Sequence, residues 1–316
     1  MSVFDKTLEQ FLVLICLSGL AIILRGRGSI LKQEQDVFAR LVTEFALPSL
    51  IFCTISLEPF TVSRLLPALS MFVSIAVVML VAWLIGRAMR LSRPVLGSLI
   101  LVAGVGSSST LGYSIIRNVF NNNHEVMNQV VTMGEFGVVL PLFTFGIMIA
   151  IYFGRKEDDE VSFGASFVRF FRSPIFLATV LGIVFSHMGF DQNAWLMKFL
   201  YSLLKVIASS LDVLVAFAVG LMLRPIDFKK LVPLIAVVVG LKLVLEPTLA
   251  LTIADALSLP KINRELLVIE AAMPSGTIAA VLAVRYGCDG AVASTLVVAT
   301  YLLSLIALPL VLTFVM

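Results

Sequence analysis

Little in this 316-residue chain is suited to catalysis or to metal binding. It holds three cysteines, two histidines and two tryptophans, and only 14% of its residues are charged. Cys16 and Cys53 fall in apolar stretches and Cys288 near the end of another. They show neither metal-ligand spacing nor the pattern of a disulfide framework, so they read as packing residues. His124 stands in the polar run NNNHE and His187 near the end of an apolar stretch. Neither has a partner at metal-ligand spacing, and both read as solvated or interfacial. No metal site and no cofactor are expected. HExxH and GxSxG motifs are absent, and Asp212 and Asp255 are the aspartates near apolar sequence, which argues against a membrane-embedded enzyme. A GxxxxGK[ST] phosphate loop is missing too, so pumping driven by nucleotide hydrolysis would need a partner. A receptor would normally carry a soluble output module, and no loop is long enough for one; a sensor coupled to a partner stays open. The net charge of +3 gives no reason to expect nucleic acid.

Apolar residues are abundant: they make up 59% of the chain and recur in runs of helix length from end to end. A bilayer core takes about 20 apolar residues per helical span. On that measure the chain is an all-α polytopic membrane protein with ten spans, at 8–24, 37–57, 65–89, 95–117, 129–153, 173–189, 202–223, 231–253, 264–284 and 290–315. Unbroken apolar runs exclude the alternating strands of a membrane barrel. Arg25-Gly26-Arg27-Gly28 follows the first run where a signal peptide would carry a small-residue cleavage site, so that run is kept as a span. Alternate loops, taken with the span ends beside them, differ in basic charge: one set holds 15 Lys and Arg and the other, with the termini, 7. The positive-inside rule then places both termini outside the cytoplasm.

Residues 154–172 form the longest loop, cytoplasmic on this reading, and divide the chain into halves of five spans, 1–153 and 173–316. Five is odd, so similar halves must be inverted in the membrane. Leu65-Leu66-Pro67-Ala68-Leu69 matches Leu231-Val232-Pro233-Leu234-Ile235 at an offset of 166. LILVAGVGSSSTLGYSIIRN from Leu99 matches LVIEAAMPSGTIAAVLAVRY from Leu267 at 168, aligning Ser107 with Ser275 and Arg117 with Arg285. Two matches at nearly one offset point to an inverted repeat.

The same alignment sets Pro274 against Gly106, so spans 4 and 9 lose helix propensity at one depth. A kink is the plain reading of either alone; two at corresponding positions favour a crossover of broken helices. Ser107, Ser108 and Ser109 would then join Pro274, Ser275, Gly276 and Thr277 in presenting hydroxyls and free N–H groups to an anion. Charged groups at membrane depth are functional candidates by default. Lys242 and Glu246 stand four apart in LKLVLEP, which fits an intrahelical ion pair, or else a Lys242 that meets a substrate carboxylate. Glu270, one turn before Pro274, is a candidate proton or cation site, and Glu246 and Glu135 are further coupling candidates. Glu44 and Asp212 read more simply as structural hydrogen-bonding groups.

FALPSLIF (Phe45 to Phe52), SPIFLATVLGIVF, LKLVLEPTLAL, AAMPSGTIAAVLAVRYG and TYLLSLIALPL, in this order, resemble the auxin efflux carrier family of bacterial permeases, relatives of plant PIN-type exporters. The resemblance implies two inverted five-helix repeats, similar in fold to bile acid sodium symporters. It also implies a scaffold from spans 1, 2, 6 and 7, often dimeric, and a moving transport domain from spans 3–5 and 8–10. Expected partners are the lipid bilayer, a second copy of the chain, a small organic anion and H⁺ or Na⁺; the expected location is the cell (inner) membrane. A sodium-coupled symporter remains the alternative. The chain departs from the family in four places. Ser107-Ser108-Ser109 replaces an Asn-Thr-Gly run, Gly112-Tyr113-Ser114 lacks a proline, Ser210-Leu211-Asp212-Val213 lacks the proline common near that position, and Glu270 stands where glutamine is frequent.

Overall fold

The computed structural model describes residues 3–31, 34–57, 65–121, 123–154, 171–188, 194–223 and 228–315. Most of the connecting loop expected at 154–172 lies outside them, as does the side chain of His124. The regular secondary structure of the described residues is helical, apart from one isolated bridge. In chain order the helices are α1 (Val3–Gly26), α2 (Gln35–Ser56), α3 (Leu65–Ala88), α4 (Arg93–Gly104), α5 (Tyr113–Val119) and α6 (Glu125–Phe153). They continue as α7 (Pro174–Met188), α8 (Trp195–Met222), α9 (Leu231–Ala256), α10 (Lys261–Ala271), α11 (Ile278–Tyr286) and α12 (Gly290–Val315). Six of them, α2, α3, α6, α8, α9 and α12, are long and apolar enough to cross a membrane. The spans expected at 8–24 and 173–189 fall on α1 and α7, while those at 95–117 and 264–284 are each split in two. Span 7 begins earlier than expected, because α8 starts at Trp195 on an apolar turn that the 202 boundary leaves out.

Proline shapes the long helices. Pro48, Pro141 and Pro247 each follow a wider π-helical turn, at Val42–Ala46, Glu135–Val139 and Gly240–Leu245 respectively. A proline inside a helix removes one N–H and crowds the carbonyl four residues back, and an i→i+5 turn is one way to absorb both. Asn123 starts α6 by accepting from the N–H groups of Glu125 at 2.9 Å and Val126 at 3.3 Å.

One continuous apolar core runs through both halves. α1 lies along α8, α2 along α7, α3 along α4, and α4 against α11 and α12. Where α1 meets α8, Gly220 leaves no room for a Cβ against the Ser18 backbone, and the Ser18 hydroxyl donates to Ala216 O at 3.0 Å. Small residues at such a contact let two membrane helices approach closely. Arg25 then caps the end of α8, donating to Leu221 O at 2.8 Å and Leu223 O at 3.0 Å. Large apolar side chains such as Leu80, Leu84, Phe145, Leu177 and Ile306 point outward, as lipid contact requires.

Cys288 is buried in the turn between α11 and α12, and its thiol donates to Ala150 O at 3.5 Å. Burial first, and the Asp289 charge second, push that thiol up to about 12. Native protein at neutral pH is therefore expected to leave Cys288 unmodified by a maleimide, and mass spectrometry of the labelled chain would show it. Rapid modification would mean that this turn opens readily.

Candidate functional site

Helix α4 ends at Gly104 and α10 at Ala271. Beyond them the two chains run antiparallel for three residues and pair Gly106 with Ser275. The Ser107 N–H donates to Pro274 O at 2.9 Å, and the Gly276 N–H to Val105 O at 2.8 Å. An interruption buried in an apolar core must satisfy its backbone groups internally. Here each broken helix satisfies the other. The carbonyl of Glu270, which Pro274 cannot serve, accepts instead from the Met273 N–H at 3.2 Å. Gly276 permits the approach: a Cβ there would lie 2.9 Å from Gly106 O. A π-helical turn, Ser108–Gly112, leads from the crossing into α5, and α11 starts directly after Thr277.

Side chains brace the crossing from α12. Ser107 Oγ and Tyr301 Oη are 2.7 Å apart, and the Ser275 N–H donates to Thr300 Oγ1 at 3.2 Å. Neither Tyr301 nor Thr300 was expected from the sequence. A tyrosine and a threonine in mid-span were the available signal, but nothing in the sequence says which segment they face.

On one side of the crossing lies a cleft lined by Gly106, Ser107, Ser108, Glu135, Asp212, Gly276 and Thr277, with apolar residues of α2, α6 and α8. Its free volume is about 60 Å³, against roughly 300 Å³ or more for a typical small-ligand pocket. This conformation holds the cleft nearly shut. Glu135 is buried in its wall and accepts from Tyr113 Oη at 3.1 Å. Two larger clefts, of about 340 and 660 Å³, are almost entirely apolar and suit acyl chains better than an anion.

Behind the crossing lies a charged cluster. Lys242 is fully buried, and its ammonium donates to Glu246 Oε1 at 2.7 Å and Oε2 at 2.6 Å. The intrahelical pair that the spacing allowed is thus present, and Lys242 does not line the cleft. Its Nζ lies against Gly106, 3.1 Å from where a Cβ would be. Glu270, also fully buried, has Ser108 and Lys242 as polar neighbours, yet among the described residues neither carboxylate oxygen closes a hydrogen bond. The hydroxyls of Ser108 and Ser275 likewise close none among the described residues. Gly112 makes room for Glu270, whose Oε1 would lie 2.6 Å from a Cβ at that position.

The structure thus gathers Ser107, Ser108, Pro274, Ser275, Gly276, Thr277, Lys242, Glu246 and Glu270 about one crossing, with Glu135 across the cleft. Ser109 belongs to the adjoining π turn, and its side chain lies outside the described residues. Among the described residues no cluster of His, Cys, Asp and Glu suits a metal ion. Glu44 lies elsewhere, paired through Oε1 with Arg285 Nη2 at 2.7 Å.

A family model described as membrane transport protein matches residues 7–312. An uncharacterized transporter of Methanocaldococcus jannaschii is 26% identical over 268 residues, 82% of this chain and 83% of the relative. Another, from Methanothermobacter thermautotrophicus, is 25% identical over 311 residues, 98% of each chain. A match that runs nearly end to end places this chain in the membrane transport protein family, the auxin efflux carrier family that its sequence resembles.

Proposed function

We propose that this protein is a secondary permease that moves a small organic anion, a carboxylate by preference, across the cell (inner) membrane by alternating access. On this reading ten spans form two inverted five-helix repeats with both termini outside. Spans 1, 2, 6 and 7 form a dimeric scaffold, and spans 3–5 and 8–10 carry the site.

The observation that carries the reading is the mutual pairing of two interrupted helices beside a buried, unevenly charged cluster. Half-helix ends expose N–H groups and positive dipole ends to an anion in the cleft. Ser107, Ser108 and Thr277 supply the contacts there, Gly276 lets the two segments approach, and Lys242 adds positive charge from behind Gly106. Charge counting then assigns the coupling. Glu246 and Glu270 share the single ammonium of Lys242, so the cluster holds one acid more than it has bases. A buried carboxylate in excess of its counter-charges is suited to take up a proton or a cation. Loading of Glu270 would also neutralise the region facing the anion, so that both bind more readily together.

Flux of mono- and dicarboxylates into proteoliposomes holding only this protein tests the reading. Wild type is expected to respond to a pH or a Na⁺ gradient, and the gradient that drives it names the ion. Glu270→Gln is expected to keep substrate binding and lose the response to either gradient. Absence of carboxylate flux in wild type would remove the proposed substrate class. A full gradient response in Glu270→Gln would remove its coupling role.

A further inference from the structure

Glu44 and Arg285 form the ion pair that joins α2 to the end of α11, at 2.7 Å and with both side chains about one-third exposed. Adding 168 to Glu44 gives Asp212, and subtracting 168 from Arg285 gives Arg117. This is the offset that sets Gly106 against Pro274. An acid thus answers an acid and an arginine an arginine, in a chain where charge within apolar segments is scarce. We infer that Asp212 and Arg117 are the alternative to Glu44 and Arg285, and that the two ion pairs close opposite ends of the cleft in turn. The inference rests on the inverted-repeat reading above and adds to it the residues that hold each end state.

The structure is asymmetric in the way that such an exchange requires. Glu44 and Arg285 are joined, whereas Asp212 and Arg117 are exposed and have no hydrogen bond or ion pair among the described residues. Packing follows the charges. The first turns of α2 pack along α11, while α8 and α5, their counterparts at the offset, make no comparable contact. Asp212 also lines the cleft beside Ser107 and Ser108, so closure of Arg117 onto it would cover the cleft at that end. Inversion places the two pairs on opposite membrane faces, with Glu44 and Arg285 at the end read as cytoplasmic. Neither pair need be strong. A partly exposed ion pair changes a two-state population by up to about fivefold, and an exchange of one for the other leaves the two states near balance.

Charge exchange on the full chain in proteoliposomes tests this. Arg117→Asp and Asp212→Arg are each expected to slow flux by about fivefold or more, since each sets like charges against one another. The exchanged double variant is expected to recover most of the loss. Arg117→Gln and Asp212→Asn, which introduce no repulsion, should shift flux in the same direction if either reversal fails to fold. Conformation is read separately from a Glu44→Cys/Arg285→Cys cross-link with Cys288→Ser as background. That cross-link should form faster when Arg117 or Asp212 is neutralised and return to its former rate in the exchanged double. A double variant no better than the worse single, with unchanged cross-linking, overturns the proposal. The repeat itself is tested by impermeant labelling of Arg117→Cys and Arg285→Cys. Labelling from one face overturns the inversion, and with it the proposal; labelling from opposite faces without rescue removes the ion-pair exchange alone.

Discussion

Lys242→Ala is expected to destabilise the folded protein by about 3–5 kcal/mol, the usual effect of removing one partner from a buried ion pair. Lys242 and Glu246 are both fully buried, and the ammonium donates to both carboxylate oxygens. Without it Glu246 loses its partner and Glu270, also fully buried, loses its cationic neighbour. Two carboxylates would then share a dry interior without a cation between them. Thermal unfolding in detergent measures the loss, and a Lys242→Met/Glu246→Leu double variant separates its causes. Replacement of a buried pair by apolar residues of similar volume is often neutral or stabilising. The double variant is therefore expected to regain most of the stability but not the flux, because the cleft would still lack the charge behind Gly106. Wild-type stability in Lys242→Ala would mean that water reaches the cluster freely.

How much of this could be read from the sequence varies with the kind of signal. The Lys242–Glu246 pair was visible because four-residue spacing on a helix fixes a contact without reference to any other segment. The interruptions at Gly106 and Pro274 were visible for a similar reason: proline and glycine act on their own backbone. Partners across the fold were not. The bracing of Ser107 by Tyr301 and of Ser275 by Thr300 depends on how α12 is placed and rotated, which local pattern does not encode. Depth, too, is cruder than position. Lys242 and Asp212 both stand inside apolar runs, yet Lys242 lies behind the crossing and Asp212 in the cleft wall. Span length misleads where helices are broken, since the pieces on either side of Gly106 and Ser275 are short helices separated by non-helical residues that pair at a single bridge.

Gly276→Ala is expected to abolish transport, because it strikes the backbone bridge between the two broken helices. A methyl group there would lie 2.9 Å from Gly106 O and 3.1 Å from Val105 Cγ1. A flexible side chain could yield to it, but a backbone carbonyl yields only if the chain moves. The chain at that point is held by the bond from the Gly276 N–H to Val105 O at 2.8 Å and from the Ser107 N–H to Pro274 O at 2.9 Å. Separation of the strands would orphan these groups in a core that admits little water, at about 1–3 kcal/mol for each group left unpaired. Loss of one bond alone thus amounts to about 2–6 kcal/mol, enough to shift the crossing away from the geometry that presents Ser107, Ser108 and Thr277 to the cleft. Pro274→Ala makes the contrast. The bridge uses the Pro274 carbonyl, which alanine keeps, and the Glu270 carbonyl already has the Met273 N–H as donor. That variant should fold and retain the bridge, losing flux only so far as its restored N–H draws α10 onward through the break. Unfolding temperature and carboxylate flux, measured side by side in the two variants, decide the matter. If Gly276→Ala matched wild type in both, the pairing of Gly106 with Ser275 would be incidental to transport, and the anion would have to be held elsewhere.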